Sequence, residues 1–209
     1  MAGGGMKRSL LHNLRILLGA ALSAALLQPS EAAAHLVTTG MGPVYDGIGH
    51  LLLTPEDLVP ALAMSLYAGM RGRAPGRRAL FLFPLAWLLG GFAGLSASGT
   101  PTFPLPAISF LLLGALIAAD LRMPDNIFTV LALAVGIMHG FFNGIALKAG
   151  PSGLGLLGIM AALFVLVAIV SAFVLSLKPP WARIAVRVAG SWVAAMGLLM
   201  IGWFFRGQG

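Results

Sequence analysis

Six long apolar stretches constrain the fold of this chain more than any other feature of its sequence. The hydrocarbon core of a bilayer is about 30 Å thick, and a helix needs roughly 20 residues to cross it. Backbone amides in that core have no water to bond with, and stretches of this length are typical of helices rather than of barrel strands. The predicted spans cover residues 55–71, 79–98, 105–119, 127–147, 154–177 and 184–205. We therefore predict an all-α, polytopic membrane helical bundle with six transmembrane helices.

Composition supports a membrane protein and excludes several kinds of chemistry. Hydrophobic residues make up 59% of the chain and charged residues only 9%, whereas soluble domains are about a quarter charged. The chain has no cysteine, which excludes disulfides, thiolate metal sites and cysteine nucleophiles. Because the connections between the predicted spans are short, residues 35–209 are expected to form a single membrane domain.

Residues 1–34 have the pattern of a cleavable signal peptide. A basic start is followed by an apolar stretch over residues 16–27, which is too short to span comfortably. Ala32 and Ala34 then supply the small-residue pattern of a cleavage site. We predict cleavage after Ala34, which makes His35 the first residue of the mature chain. The alternative is an uncleaved first helix.

The basic residues predict the orientation of the bundle. If the mature N-terminus lies outside, the inner side carries far more basic residues than the outer side, as the positive-inside rule requires. The inner residues are Arg71, Arg73, Arg77, Arg78, Arg122, Lys178, Arg183 and Arg187, and the outer ones are Lys148 and Arg206. The formal charge of +7 is therefore a topology signal. We expect the lipid bilayer, and no nucleic acid, as the partner of this surface.

Ionisable side chains within a bilayer are costly, so those that occur there are candidates for function. His35, His50 and His139, the histidines of the mature chain, are all predicted in the outer half of the bundle. Asp46 lies four residues before His50, and Asn143 lies four residues after His139. Each pair therefore shares one helix face.

Two further carboxylates belong to the same outer region. Thr54 is predicted as the N-cap of the first span, which places Glu56 and Asp57 in its first turn. The short apolar segment before it, residues 43–53, cannot span and is predicted as an outer interfacial or re-entrant helix. Asp120, near arginines at the inner side, is expected to be an ordinary loop charge.

Imidazole and carboxylate groups without sulfur suit a borderline divalent ion such as nickel, cobalt, copper or zinc. The predicted metal ligands are His35, Asp46, His50 and His139, with Glu56, Asp57 and Asn143 as accessory residues. Each has a purely structural alternative. The histidine–aspartate pair can bond internally, the two carboxylates can serve only the helix N-terminus, and His139 with Asn143 can join helices. We expect no organic cofactor.

Two runs of sequence resemble the HupE/UreJ family of bacterial membrane proteins. They are GPVYDGIGHLLLTPEDLVPALAMSLYAGMRG and the later GIMHGFFNG, and the similarity extends over essentially the whole mature chain. Members are associated with nickel hydrogenase or urease gene sets and are regarded as nickel or cobalt permeases or accessory metal-uptake proteins. The resemblance implies that Asp46 and His50, in the early motif, contact the metal, and that His139 matches a later helix histidine. The family's usual early motif carries His-Pro and then Gly-x-Asp-His; YDGIGH departs from it and marks a divergent branch.

The leading functional hypothesis is a permease or uptake component for nickel or cobalt in the bacterial inner membrane, with the mature N-terminus periplasmic. The main alternative is a non-transporting accessory or scaffold protein for metalloenzyme maturation, with maturation proteins as partners. A remote alternative is an intramembrane serine hydrolase built on Ser96 or Ser98 and His139, although serine precedes histidine here, opposite to the order in rhomboid proteases. We expect the chain not to be an enzyme. The sequence leaves the oligomeric state open.

Overall fold

The chain folds into seven α-helices in the computed structural model, which describes residues 38–99 and 103–206. In chain order they are α1 (Pro43–Leu53), α2 (Pro55–Arg71), α3 (Arg73–Leu95), α4 (Leu105–Ala118), α5 (Asp125–Leu147), α6 (Ser152–Ser176) and α7 (Pro180–Arg206). The predicted all-α fold class is confirmed. The predicted signal peptide, its cleavage site and His35 lie outside the described residues.

Four helices, α3, α5, α6 and α7, are long and apolar enough to cross a membrane. α4 is a shorter apolar helix of 14 residues, and α2 has 17 residues. A multi-pass helical membrane protein is therefore supported, while the count of six spans stays a prediction. α3 begins at Arg73 rather than near residue 79. Its first turns contain arginines, so their low hydropathy placed them outside the predicted span although they are helical.

Glycines bring the backbones of α3 and α5 into direct contact. A Cβ added at these glycines would collide with a carbonyl oxygen of the facing helix: Gly136 with Phe83, Gly140 with Trp87, and Gly144 with Gly91. The contacts advance by four residues on both helices, so α3 and α5 run parallel. Small residues of this kind let membrane helices approach backbone to backbone.

α2 lies at the centre of the bundle and contacts α3, α4, α6 and α7. Its side chains Met64 and Tyr67 are fully buried. α7 packs antiparallel against α4, since Gly197 lies against Ala107 and Gly190 lies against Ile117. Helices α2, α4 and α6 therefore begin at one end of the bundle, where α3, α5 and α7 finish. We call it the Asp57 end, and the opposite end the Asp120 end.

The short helix α1 packs along the first turns of α6. Gly47 lies against Gly155, and Val44 lies against Gly158, so α1 runs antiparallel to α6. The chain then passes through Thr54 directly into α2, whose N-cap is Thr54 as predicted. The Thr54 side chain makes no capping bond; its carbonyl oxygen instead accepts hydrogen bonds from the backbone N–H groups of Asp57 and Leu58.

Asp120 ties three elements together at the other end of the bundle. It follows α4 with a positive φ of 53°. Its carboxylate accepts hydrogen bonds from Nε and Nη2 of Arg183 at 2.7 and 3.0 Å and forms an ion pair with Arg71 of α2. Nearby, the Tyr67 hydroxyl donates to the Leu121 carbonyl at 2.9 Å. Asp120 thus does more than the ordinary loop charge that the sequence suggested, because it joins α2 and α7 to the connection between α4 and α5.

Replacing Gly90 by alanine tests the packing of α3 on α5. Alanine normally stabilises a helix interior by about 1 kcal/mol relative to glycine. At Gly90 the new methyl group meets the Ile137 carbonyl, and overpacking of this kind costs about 1–3 kcal/mol. We expect Gly90→Ala to lower the thermal unfolding temperature of the detergent-purified protein. Gly202→Ala is the matched control, since a Cβ there meets nothing within 4 Å. An equal rise of the unfolding temperature in both variants would contradict the close packing at Gly90.

The Asp120 cluster makes stability depend on pH in the acid range. The hydrogen bonds from Arg183, and then Arg71, hold the pKa of Asp120 below its usual range. The resulting stabilisation is fully present above the ordinary carboxyl pKa of about 3.9 and disappears as pH falls through the lowered pKa. We expect Asp120→Asn to destabilise the protein by roughly 1 kcal/mol at pH 7, and by progressively less below pH 4. Asparagine tolerates a positive φ, so the substitution should not add backbone strain at this position. A loss of unfolding free energy that is the same at every pH would contradict this account.

Candidate functional site

A buried carboxylate, Asp57, occupies the first turn of α2. It is only 6% exposed, whereas its neighbour Glu56 is exposed. Removing a carboxylate from water costs several kcal/mol unless other groups bond to it. A helix N-terminus favours a negative charge, but that role is available at the surface, as Glu56 illustrates. The burial of Asp57 therefore requires partners from other helices.

α1 and α5 provide those partners. The Nδ1 atom of His139 lies 3.3 Å from one carboxylate oxygen of Asp57. The Nδ2 group of Asn143 donates a hydrogen bond of 2.7 Å to the other oxygen. The Nε2 atom of His50, at the end of α1, lies 3.8 Å from that same oxygen. Three helices thus converge on one carboxylate, and all four side chains are buried.

α3 and α4 complete the surroundings of His139, which is 1% exposed. Its Nε2 atom lies 2.8 Å from the Ser109 hydroxyl of α4. The Trp87 ring of α3 stacks on the imidazole, with ring centroids 5.2 Å apart and planes inclined by 20°. The Trp87 indole N–H also donates to the Asn143 side-chain oxygen at 3.4 Å. We call the group His50, Asp57, Trp87, Ser109, His139 and Asn143 the Asp57 cluster.

Ser109 has one hydroxyl proton and two acceptors within reach. Its oxygen lies 2.7 Å from the Pro106 carbonyl and 2.8 Å from Nε2 of His139. When the Ser109 hydroxyl donates its hydrogen bond to the Pro106 carbonyl, the serine oxygen can accept the Nε2–H of His139, and Nδ1 then presents a lone pair toward Asp57. When the hydroxyl donates to Nε2 instead, the imidazole carries its hydrogen on Nδ1, which donates to Asp57. The orientation of the Ser109 hydroxyl and the neutral tautomer of His139 are therefore coupled.

The other predicted site residues lie apart from this cluster. Asp46 accepts hydrogen bonds from the backbone N–H and the hydroxyl of Thr39 at 2.6 and 2.7 Å. Glu56 borders an apolar groove at the same end of the bundle. In the part of the chain that the structure describes, no group of three histidine, aspartate or glutamate residues forms a ready-made metal cage.

Sequence reasoning placed Asp57 among the accessory residues and missed Ser109 and Trp87. Its pairing of Asp46 with His50 came from their spacing along one helix, whereas the structure gives His50 a carboxylate from the next helix. Ser109 is detectable as a lone hydroxyl within the apolar helix α4, but its partner lies on α5. The sequence has no local signal for Trp87, because only the glycine contacts of α3 and α5 bring it onto His139.

Comparison with known proteins agrees with the sequence-based resemblance. A family profile described as HupE / UreJ protein matches residues 22–200. Protein HupE of Rhizobium leguminosarum bv. viciae is 24% identical over 184 residues, which cover 85% of this chain and 94% of that protein. No solved structure matches the chain significantly. The chain belongs to the HupE/UreJ family.

Proposed function

We propose that this protein takes up a divalent transition-metal ion, nickel or cobalt, across the bacterial inner membrane. Membership of the HupE/UreJ family, which is associated with nickel or cobalt uptake and with urease and hydrogenase maturation, supports this metal class. One observation carries the proposal for this chain: Asp57 meets two histidines, His50 and His139, that come from different helices. Two imidazoles and a carboxylate form a donor set typical of divalent transition metals.

Each histidine nitrogen lies at ligand-to-ligand distance from an Asp57 oxygen, and a metal ion would draw the three groups together into a cage that they do not form beforehand. Metal bonds to nitrogen and oxygen are about 2.0–2.2 Å long, so two ligands of one ion lie about 3–4 Å apart. Asp57 oxygens lie 3.3 Å from Nδ1 of His139 and 3.8 Å from Nε2 of His50. An ion between them replaces the direct hydrogen bond, and its charge compensates the buried carboxylate.

Ser109 supports binding by stabilising the required tautomer of His139 through a hydrogen bond. A ligating histidine usually donates its second N–H to an oxygen. When the Ser109 hydroxyl donates to the Pro106 carbonyl, the serine oxygen accepts that N–H, and the Nδ1 lone pair faces Asp57. In the other tautomer, which carries its hydrogen on Nδ1, the Ser109 hydroxyl donates to Nε2 and Nδ1 donates to Asp57. The two tautomers of His139 thus suit the ion-bound and the ion-free site.

The membrane arrangement that we propose places the Asp57 end outside. In it, α2 and α4 join the four long helices as spans, the mature N-terminus is periplasmic, and α1 is re-entrant, since it runs antiparallel beside the first turns of α6. The Asp57 cluster is then the first buried binding site that an ion entering from the periplasm reaches. Asp46 and His35 are proposed as outer capture groups. Inward movement of a doubly charged ion gains about 4.6 kcal/mol per 100 mV of membrane potential.

Nickel binding to the purified protein tests the site. We expect Asp57→Asn to weaken nickel affinity at least tenfold, since even groups that only support a metal ligand contribute 10- to 100-fold. Glu56→Gln is the matched control, because it removes an exposed carboxylate from the neighbouring position and should leave affinity unchanged. Isothermal titration of folded variants gives the comparison, and Asp46→Asn measures the contribution of the outer capture group.

Flux measurements separate transport from an accessory role. Wild-type protein in liposomes should admit nickel when an inside-negative potential is imposed, and the Asp57→Asn variant should not. Binding without flux would favour the maturation-accessory alternative instead. Unchanged nickel affinity in a folded His50→Ala/His139→Ala double variant would refute the metal site altogether.

A second function, intramembrane serine hydrolysis, is favoured by one specific observation. Ser109, His139 and Asp57 are bonded in the order of a serine hydrolase triad, with serine at Nε2 and aspartate at Nδ1. Ser96 and Ser98, the serines suggested by sequence, are exposed beyond α3 instead. Against hydrolysis, Ser109 is buried and within bonding distance of a backbone carbonyl.

A fluorophosphonate probe distinguishes hydrolysis from metal uptake. We expect no labelling of the wild-type protein in detergent, because the Ser109 hydroxyl is inaccessible to an acyl-like electrophile. Labelling that disappears in Ser109→Ala, and persists in Ser96→Ala, would instead establish Ser109 as a nucleophile.

A further inference from the structure

A groove between α3 and α6 lies at the Asp120 end of the bundle, away from the Asp57 cluster. Its volume is about 470 Å³. Its lining combines two arginines near the start of α3 with small and apolar residues: Arg73, Gly76, Arg77, Leu80, Ala168, Ser171, Ala172 and Leu175. The groove is thus cationic at one end and apolar along the rest of its length.

The two arginines of the groove have no acidic partner in the described structure. Arg73 and Arg77 are exposed and make neither a salt bridge nor a side-chain hydrogen bond within residues 38–99 and 103–206. The carboxylates at this end are engaged elsewhere. Asp120 is held by Arg71 and Arg183, and Asp125 pairs with Arg78 at 3.4 Å. The positive charge of the groove is therefore available to an anion from outside the chain.

The apolar part of the groove decides what kind of anion fits. Ala168 and Ala172 are one helical turn apart on α6, and their small side chains leave space between α6 and Leu80 of α3. The one hydroxyl in the groove, Ser171, is turned inward and donates to the Val167 carbonyl at 2.6 Å. A free inorganic anion would occupy only the arginines and leave this apolar surface uncovered.

We propose that the groove binds an anionic phospholipid, with its phosphate between Arg73 and Arg77 and an acyl chain along Ala168, Ala172 and Leu80. Two arginines neutralise one phosphodiester and donate hydrogen bonds to its oxygens. The acyl chain replaces water or loosely packed lipid in the apolar part of the groove. This lipid connects the start of α3 to α6, and it neutralises positive charge at the end of the bundle opposite to the Asp57 cluster.

Lipid retention by the full-length protein tests the proposal. The protein is purified in detergent, titrated with phosphatidylglycerol or phosphatidylcholine, and examined by native mass spectrometry. Wild-type protein should retain one phosphatidylglycerol per chain in preference to phosphatidylcholine. Inorganic phosphate should not compete at millimolar concentration, whereas successful competition would reduce the site to a simple anion site. Equal retention of both lipids would overturn the proposal.

Single-charge variants of the same helix provide the matched comparison. Arg73→Gln and Arg77→Gln should each weaken phosphatidylglycerol retention about fivefold, which corresponds to the roughly 1 kcal/mol contributed by one basic residue at an anionic surface. Arg78→Gln removes the same charge next to Asp125 and should leave retention within about twofold. Equal losses in all three variants would show only general attraction to anionic lipid and would overturn the site.

A variant that fills the groove tests the acyl-chain position without changing charge. Ala172 is exposed, so Ala172→Phe does not disturb the buried core. It should reduce phosphatidylglycerol retention about as much as Arg77→Gln while leaving nickel affinity unchanged. Unaltered lipid retention in a folded Ala172→Phe protein would mean that no acyl chain lies in the groove.

Discussion

The interaction on which the site depends is the burial of one carboxylate, Asp57, against groups from two other helices. A lone carboxylate in this position would cost several kcal/mol. The amide of Asn143 and the imidazoles of His139 and His50 reduce that cost, and in doing so they hold α1 and α5 against the start of α2. In the function that we propose, a divalent ion would bind to these same groups. The contacts that stabilise this end of the bundle would then also determine the affinity for the metal.

Close helix packing makes this arrangement possible. Gly140 and Gly144 flank the polar residues of α5 and let the backbone of α3 approach them. That approach places the Trp87 ring flat on His139 and its N–H beside Asn143. With Trp87 on its face and Ser109 and Asp57 at its edges, the imidazole has little rotational freedom. The glycines and the polar groups thus form one structural unit, although their sequence signals are of different kinds.

The two ends of the bundle differ in the charged side chains that they carry. At the Asp57 end, a carboxylate and the neutral polar groups that bond to it point inward and face each other across helices. At the Asp120 end, arginines outnumber carboxylates, and Asp120 and Asp125 are already engaged by arginine. The metal ion and the anionic lipid that we propose each have the charge opposite to that of the groups at their end. The bundle is electrostatically polarised along its length, with the excess of arginine at the Asp120 end.

The sequence by itself determined the class of the protein, the approximate helices and the region of the site. These follow from local properties, since hydropathy and helix-capping residues each reflect the immediate environment of a segment. The sequence also identified His50, His139 and Asn143 as members of one polar region. Which carboxylate meets these histidines was decided only by the tertiary structure. Asp46 shares a helix with His50 but bonds to Thr39, whereas Asp57, together with Ser109 and Trp87, reaches the cluster because α1 to α5 converge at one end of the bundle. Spacing along a helix reports which residues share a face, and it carries no information on which faces of different helices meet.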